Sequence, residues 1–173
     1  MNGETTNSMD HSRFNHIKAF FLDVDGVLTD GSVIITETGG LLRTMNVKDG
    51  QALKYALDEG YFIAIITKGR SKGVRSRLKD LGITAIYDNL TSKRDTIKTL
   101  IEQHQFKPEE VLYMGDDIPD LRAKDLVGVF ACPSDAVPEV LKNADYVSSI
   151  AGGQGCVREI IRRVLKIQSK WIY

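Results

Sequence analysis

Four carboxylates, a threonine and a lysine fall at the ends of apolar runs in this chain. Asp23 and Asp25 close "FFLDVDG", Thr67 closes "FIAIIT", Lys93 follows Ser92 after the run around Ala85, and Asp116 and Asp117 close "VLYMGDD". Acids at the end of a hydrophobic strand are costly unless something compensates their charge. Two unit charges about 4 Å apart repel by roughly 4 kcal/mol at an effective dielectric of about 20. A divalent cation offsets that repulsion, and a small all-oxygen ligand set completed by water suits Mg2+. Asp23, Asp25, Asp116 and Asp117 are the candidate ligands. Thr67, Lys68 and Lys93 are groups of the opposite kind, donors and cations. Together with a metal they make a site for a phosphoryl group. A carboxylate beside such a group can attack phosphorus. A second can protonate the leaving oxygen and then activate water. Residues two apart on an extended strand point the same way, so Asp23 and Asp25 are expected to flank one reacting phosphorus, with Gly26 permitting a tight exit.

Each residue alone has a plainer reading. "DVDG" can be a turn or a calcium loop, "GDD" a turn opening a helix, Thr67 a helix cap and Lys93 a solvated lysine. The order D-x-D, T, K, GDD-x-x-D, each set after a strand, separates the readings.

The elements that must position these residues alternate. Apolar runs at Ala19–Leu22, Phe62–Ile66, Ala85–Tyr87, Val111–Met114, Val127–Phe130 and Tyr146–Val147 predict strands. They are apolar throughout rather than alternating, which suits parallel strands covered on both faces. Helices are predicted over Gly50–Glu59, Ser71–Asp80, Lys93–His104, a short stretch after Pro119, Val137–Asn143 and Cys156–Ile167. The pattern predicts a Rossmann-like, doubly wound α/β sheet with right-handed crossovers. Ligands of such sheets bind beyond the carboxyl ends of the strands, at the switch point, where the first and fourth of these strands are expected to be neighbours. Between Asp30 and Gly50 the β-rich runs Val33–Thr36 and Leu41–Val47 flank Thr38-Gly39-Gly40, predicting a β-hairpin inserted over about residues 31–48. It is too short to form a lid domain.

At 173 residues the chain is long enough for one domain with a real core. Its formal net charge of zero argues against a nucleic-acid binder. No apolar run approaches membrane-spanning length. Residues 1–16 read as a polar tail without a signal-peptide core, making the cytoplasm the expected location. Cys132 and Cys156 lack metal-type spacing and read as two reduced thiols.

These motifs resemble those of the haloacid dehalogenase superfamily, over nearly everything from Lys18 onward. The resemblance implies Asp23 as nucleophile, Asp25 as general acid/base with its backbone carbonyl on Mg2+, Thr67 and Lys93 as phosphoryl holders, Asp116 as acidic metal ligand helped by Asp117, and Asp120 as the residue orienting the lysine. Within the superfamily, "DVDGVLTDG" with a following hairpin, "MNVKDGQAL", "GDDIPD" and "GGQGCVREI" resemble the capless 3-deoxy-manno-octulosonate 8-phosphate (KDO 8-phosphate) phosphatases. That implies a sugar-acid phosphate substrate in lipopolysaccharide precursor synthesis and a homotetramer in which hairpins pack together. A KDN 9-phosphate phosphatase, a non-catalytic assembly module and a phosphotransferase to an alcohol stand as alternatives. For the substrate carboxylate the candidates are Lys48 first, then Arg70, Lys68, and Arg43 or Arg158, from the same chain or from a neighbour, with Gly50 beside them. One departure stands out: many relatives read T-G-R after the second strand, whereas this chain reads Thr67-Lys68-Gly69-Arg70, which puts Gly69 where they carry arginine.

Overall fold

The computed structural model describes residues 11–172. Its centre is a six-stranded parallel sheet in which β1 (Ala19–Leu22) lies between β4 (Phe62–Ile66) and β6 (Val111–Met114). The sheet continues through β5 (Ala85–Tyr87) on one side and β7 (Val129–Cys132) and β8 (Tyr146–Val147) on the other, giving the order β5-β4-β1-β6-β7-β8. Chain direction across the sheet reverses between β1 and β6, so the expected switch point is where the structure has it. The two strands are in register from Ala19 opposite Val111 to Leu22 opposite Met114.

The run "AFFL" is buried at every position because both faces are covered. Phe20 and Leu22 face one apolar layer, formed with α1 (Val47–Asp58), α2 (Lys72–Asp80) and α6 (Cys156–Ile167). Ala19 and Phe21 face the other, formed with α3 (Lys93–Gln103) and α5 (Pro138–Asn143). The apolar stripe Val157, Ile160, Ile161, Val164 and Leu165 of α6 is wholly buried, as its helical spacing predicts. A short α4 (Ile118–Leu121) follows β6.

Four features differ from the sequence expectation by more than one residue. Helix α1 starts at Val47 rather than Gly50, because Asn46 caps it, its Oδ1 accepting from Lys48 N at 2.8 Å. The hairpin is correspondingly shorter, with only β2 (Ile34–Ile35) and β3 (Leu41–Leu42) paired. Strand β7 lies two residues later than expected. Residues Lys124–Leu126 form a 3₁₀ turn and Gly128 N donates to Val111 O, so pairing with β6 begins only at Val129.

The fourth difference concerns the tail. Residues His11–His16 form a 3₁₀ turn, and Phe14 is fully buried against Tyr146 and the core. Gln168 Nε2, beyond α6, donates to both Phe14 O (2.8 Å) and Ile17 O (2.9 Å), tying the two ends of the fold together. A single aromatic in a polar stretch gives no periodicity, so its burial is not visible in the sequence. The rest of the expected tail lies outside the described residues. Phe14→Ala is expected to cost about 3–5 kcal/mol of unfolding free energy in a urea titration. A loss below about 1 kcal/mol would show that the turn is not part of the cooperative unit.

Candidate functional site

The carboxyl ends of β1, β4 and β6 and the N-termini of α3 and α4 surround a cleft of about 290 Å3 lined by Asp23, Asp25, Thr67, Lys68, Lys93 and Asp116, with Asp117 and Asp120. At its floor, Lys93 Nζ lies 2.7 Å from Asp23 Oδ2 and 2.6 Å from Asp120 Oδ1. All three side chains are buried. Lys93 is placed by the start of α3, where Ser92 Oγ caps the helix by accepting from Asp95 N. Asp120 sits in the first turn of α4. Its Oδ2 accepts from the backbone N–H groups of Asp116 (3.1 Å) and Asp117 (3.2 Å), and its Oδ1 also accepts from the Tyr113 hydroxyl. Tyr113 was missed in the sequence. It reads as one more apolar strand residue, and only its place on β6 beside α4 reveals the contact.

Carboxylate oxygens of Asp23, Asp116 and Asp120 lie within 4.8 Å of one another. Of the expected set Asp23, Asp25, Asp116 and Asp117, the cluster contains Asp23 and Asp116, with Asp120 as its third member. Asp117 is exposed and spends Oδ1 on Ile118 N (2.7 Å), capping α4. Asp25 is turned out of the cluster: Arg43 Nε lies 2.6 Å from its Oδ1. The alternation argument fails here because β1 ends at Leu22 and the chain turns immediately afterwards. That turn is held by the buried Thr29 hydroxyl, which donates to Val24 O and accepts from Gly26 N and Gly31 N. Gly26 has φ 86°, and a Cβ there would overlap the Asp116 carboxylate, so glycine is required on both grounds.

The electrostatics call for a cation. Three carboxylates face one ammonium, leaving two uncompensated negative charges. Burial, then the Asp120 charge, pushes the Asp23 carboxyl well above the ordinary carboxylate range, against the pull of Lys93. Burial and Asp120 likewise push Asp116 up to about 7. Asp116 Oδ1 is buried with no hydrogen-bond partner. Because Asp120 is already committed to Lys93, Tyr113 and two amides, the oxygens left for a metal are those of Asp23 and Asp116, with backbone and water oxygens. That donor set fits a small, oxygen-seeking divalent ion. Burial holds Lys93 down, but the charges of Asp23 and Asp120 outweigh it and raise the ammonium above its usual value. Thr67 is buried, its Oγ1 accepting from Gly69 N at 3.0 Å.

This arrangement has parallels in known proteins. Residues 45–132 match the model of the haloacid dehalogenase-like hydrolases. The 3-deoxy-D-manno-octulosonate 8-phosphate phosphatase of Escherichia coli (strain K12) is 38% identical over 159 residues, covering 92% of this chain and 85% of that protein. The crystal structure of the phosphatase of the same name from Yersinia pestis superposes with a TM-score of 0.91 at 35% identity, over 94% of this chain and 88% of that one. The enzyme from Moraxella catarrhalis, solved with a magnesium ion, a phosphate ion and a KDO molecule, gives a TM-score of 0.89 at 32% identity, over 95% of this chain and 94% of that one.

The chain belongs to the haloacid dehalogenase-like hydrolases. Within them it is a phosphatase of the KDO 8-phosphate phosphatase family, with the α/β fold of that family and no cap among the described residues.

Not every residue suggested for the substrate carboxylate reaches the cleft of this haloacid dehalogenase-like fold. Lys48 is exposed in the first turn of α1 and lines neither this cleft nor the cavity beside Asp25. Gly50 is buried inside α1, where a Cβ would lie 3.1 Å from an Arg77 nitrogen. Arg158 places its guanidinium 5.3 Å from the centre of the Trp171 ring, which also meets Tyr55 edge-on. Trp171 is thereby packed on its own chain, and Tyr173 lies outside the described residues. Arg43 and Arg70 do line a cavity with Asp25, Thr67 and Gly69. Both cysteines are free and buried, and burial raises both thiols well above their usual range, which suits inert core residues.

The sign of the linkage gives a test. Asp116 has its pKa raised by folding, so its contribution to stability is fully present below the ordinary carboxylate range and is lost as pH rises through about 7. In chelator the melting temperature is therefore expected to fall between about pH 4 and 7. Mg2+ at about 100 times its Kd should restore about 2.7 kcal/mol, roughly 5–10 °C. Asp116→Asn should melt above wild type in chelator at pH 8 and gain little from Mg2+. An equal Mg2+ shift in both proteins, by scanning calorimetry, would place the cation elsewhere.

Proposed function

We propose that this chain hydrolyses 3-deoxy-D-manno-octulosonate 8-phosphate to the free sugar acid and inorganic phosphate. The observation that carries the reading is the buried Asp23 carboxylate held 2.7 Å from Lys93 beside an Asp116 oxygen with no protein partner. The substrate rests on the names of the relatives and on the sugar acid bound in the Moraxella catarrhalis structure. Mg2+ is the proposed cofactor. When bound it would supply positive charge to the phosphoryl oxygens, held by Asp23, Asp116 and the Asp25 backbone carbonyl, with Asp117 directly or through water.

In the first step an Asp23 oxygen attacks phosphorus and the bond from phosphorus to the sugar oxygen breaks. Asp25, protonated from solvent once substrate is bound, gives that proton to the oxygen, releasing the sugar alcohol. In the second step the Asp25 carboxylate takes a proton from water as the water oxygen attacks phosphorus. The phosphorus bond to Asp23 breaks, phosphate leaves, and both carboxyl groups return to their starting states. Lys93 and Thr67 hold the phosphoryl oxygens throughout, and Asp120 aims Lys93. Lys68, exposed at the cleft rim, adds positive charge to the approach.

The same reading makes the chain a homotetramer of the cytoplasm. The support is the hairpin, where the cross-strand pairs Ile34–Leu42 and Ile35–Leu41 are all exposed, one pair on each face, Ile35 at 71%. A two-stranded hairpin is marginal alone in water, and its apolar side chains need cover. Met45, after the hairpin, packs partly against the chain's own core.

Asp23→Asn is expected to lower kcat by roughly three powers of ten or more with an unchanged circular dichroism spectrum. Phosphate release from KDO 8-phosphate, KDN 9-phosphate and glucose 6-phosphate, with Mg2+ and with EDTA, tests substrate and cofactor together. Full turnover in EDTA would remove the metal from the reading, and equal kcat/KM on glucose 6-phosphate would remove the sugar acid.

The double variant Ile35→Lys with Leu42→Lys should reduce the molar mass in light scattering by a factor of two or four. A wild-type monomer with full activity would sink the tetramer.

A further inference from the structure

The Asp25 carboxylate is held by a residue from the hairpin. Arg43, just after β3, directs Nε to Asp25 Oδ1 at 2.6 Å and a terminal nitrogen to Oδ2 at 3.4 Å. The arginine side chain is only 7% exposed, the aspartate 35%. A fork contact of this kind engages both carboxylate oxygens. Gly69 makes room for it. A Cβ at position 69 would lie 2.8 Å from Asp25 Oδ2, closer than real side chains tolerate, and 3.7 Å from the Arg43 terminal nitrogen. The residue at which this chain departs from the T-G-R pattern is thus the one whose missing side chain lets Asp25 swing to Arg43. Asp25, Arg43, Thr67, Gly69 and Arg70 all line one cavity next to the cleft.

We propose that Arg43 determines specificity for sugar acids by exchange: it holds the Asp25 carboxylate in the free protein and gives it up for the carboxylate of the bound substrate. The proposal rests on the reading of Asp25 as proton donor and of a sugar-acid phosphate as substrate. The exchange replaces one carboxylate by another on the same guanidinium, so it leaves no buried cation unpaired. A neutral sugar phosphate has only hydroxyls to offer there, and opening the pair for it strands a nearly buried guanidinium. Such a substrate can still place its phosphoryl group on Lys93 and Thr67, but Asp25 stays with Arg43 and cannot serve its leaving oxygen. Discrimination therefore appears in kcat as well as in KM. Lys48 is exposed, does not line the cleft, and offers no such coupling within the chain.

The experiment compares wild type, Arg43→Met and Arg43→Lys on KDO 8-phosphate and glucose 6-phosphate with Mg2+ present. Arg43→Met is expected to raise KM for the sugar acid about tenfold or more while kcat on glucose 6-phosphate rises or holds, so that the acid-to-neutral ratio of kcat/KM collapses by at least about tenfold. Arg43→Lys keeps the charge but not the fork, and should recover part of the ratio. In parallel, calorimetric titration of KDO itself into Asp23→Asn should show binding that the added Arg43→Met removes. Equal loss of kcat on both substrates would mean that Arg43 only orients Asp25, and would overturn the exchange. An unchanged ratio, or unchanged KDO binding, would overturn it too. If Arg43→Met does not fold, the lysine variant decides alone, an unchanged ratio again overturning the proposal. Failure of the underlying reading looks different: wild type that leaves KDO 8-phosphate intact, or an Asp25→Asn variant that keeps full activity, removes the premise and the exchange with it.

Discussion

The ammonium of Lys93 between Asp23 and Asp120 is the contact on which the rest of the site depends. All three groups are buried, and removing one partner from such a set leaves an uncompensated charge in the interior. Lys93 opens α3 after β5, Asp120 lies in α4 after β6, and Asp23 directly follows β1. With the order β5-β4-β1-β6, the lysine therefore joins loops from opposite sides of the central strand. Its own charge is secured by the carboxylates it holds, which outweigh the burial that would otherwise favour the neutral amine. Asp120 in turn is fixed by two backbone amides and the Tyr113 hydroxyl, so the lysine is aimed by a carboxylate that has no freedom of its own.

Packing this much charge into one strand end requires close backbone approach, and the glycines fall where it occurs. Gly26 admits Asp116, and Gly115 admits Asp120, since a Cβ at either place would overlap the carboxylate. Behind the catalytic turn, Gly152 and Gly153 lie against the backbone of Gly26 and Thr29, and Gly153 N donates to Val27 O at 2.9 Å. The stretch "GGQGCVREI" is in this sense a buttress for "DVDGVLTDG". It is held from the other side by Asp49, a buried carboxylate whose Oδ1 accepts from Arg158 N at 2.7 Å in the first turn of α6. Burial pushes the Asp49 carboxyl up to about 6, against the pull of that amide, and its second oxygen has no partner.

The strands, the switch point and the convergence of Asp23, Thr67, Lys93 and Asp116 were legible because each depends on a local pattern. An apolar run four or five residues long ends in a polar residue, and parallel topology then carries those ends to one edge. What was not legible depends on contacts between segments far apart in the chain. The pairing of Arg43 with Asp25 spans 18 residues and is decided by how the hairpin folds back. The hydrogen bond of Tyr113 with Asp120 and the burial of Phe14 have no periodic signature. Lys48 was preferred for the substrate because it precedes a glycine expected to open α1. The helix opens three residues earlier, and the same lysine sits in its exposed first turn.

The two aspartates of the first motif show how much of the chemistry lies in surroundings rather than residue type. Asp23 is buried, accepts from Val24 N and Lys93, and has its carboxyl raised by desolvation, so its charged form needs cations that water does not supply there. Asp25 lies two residues on, past the end of the strand, one third exposed and matched by an arginine of its own. The first is therefore tied to whatever occupies the cleft, the second to the hairpin. On the proposed reading, in which Asp25 is the proton donor, a site with no lid among the described residues has few ways to make that donor respond to what has bound. Anchoring Asp25 to an inserted hairpin, whose apolar side chains are exposed, couples the open side of the site to the cleft through a single ion pair.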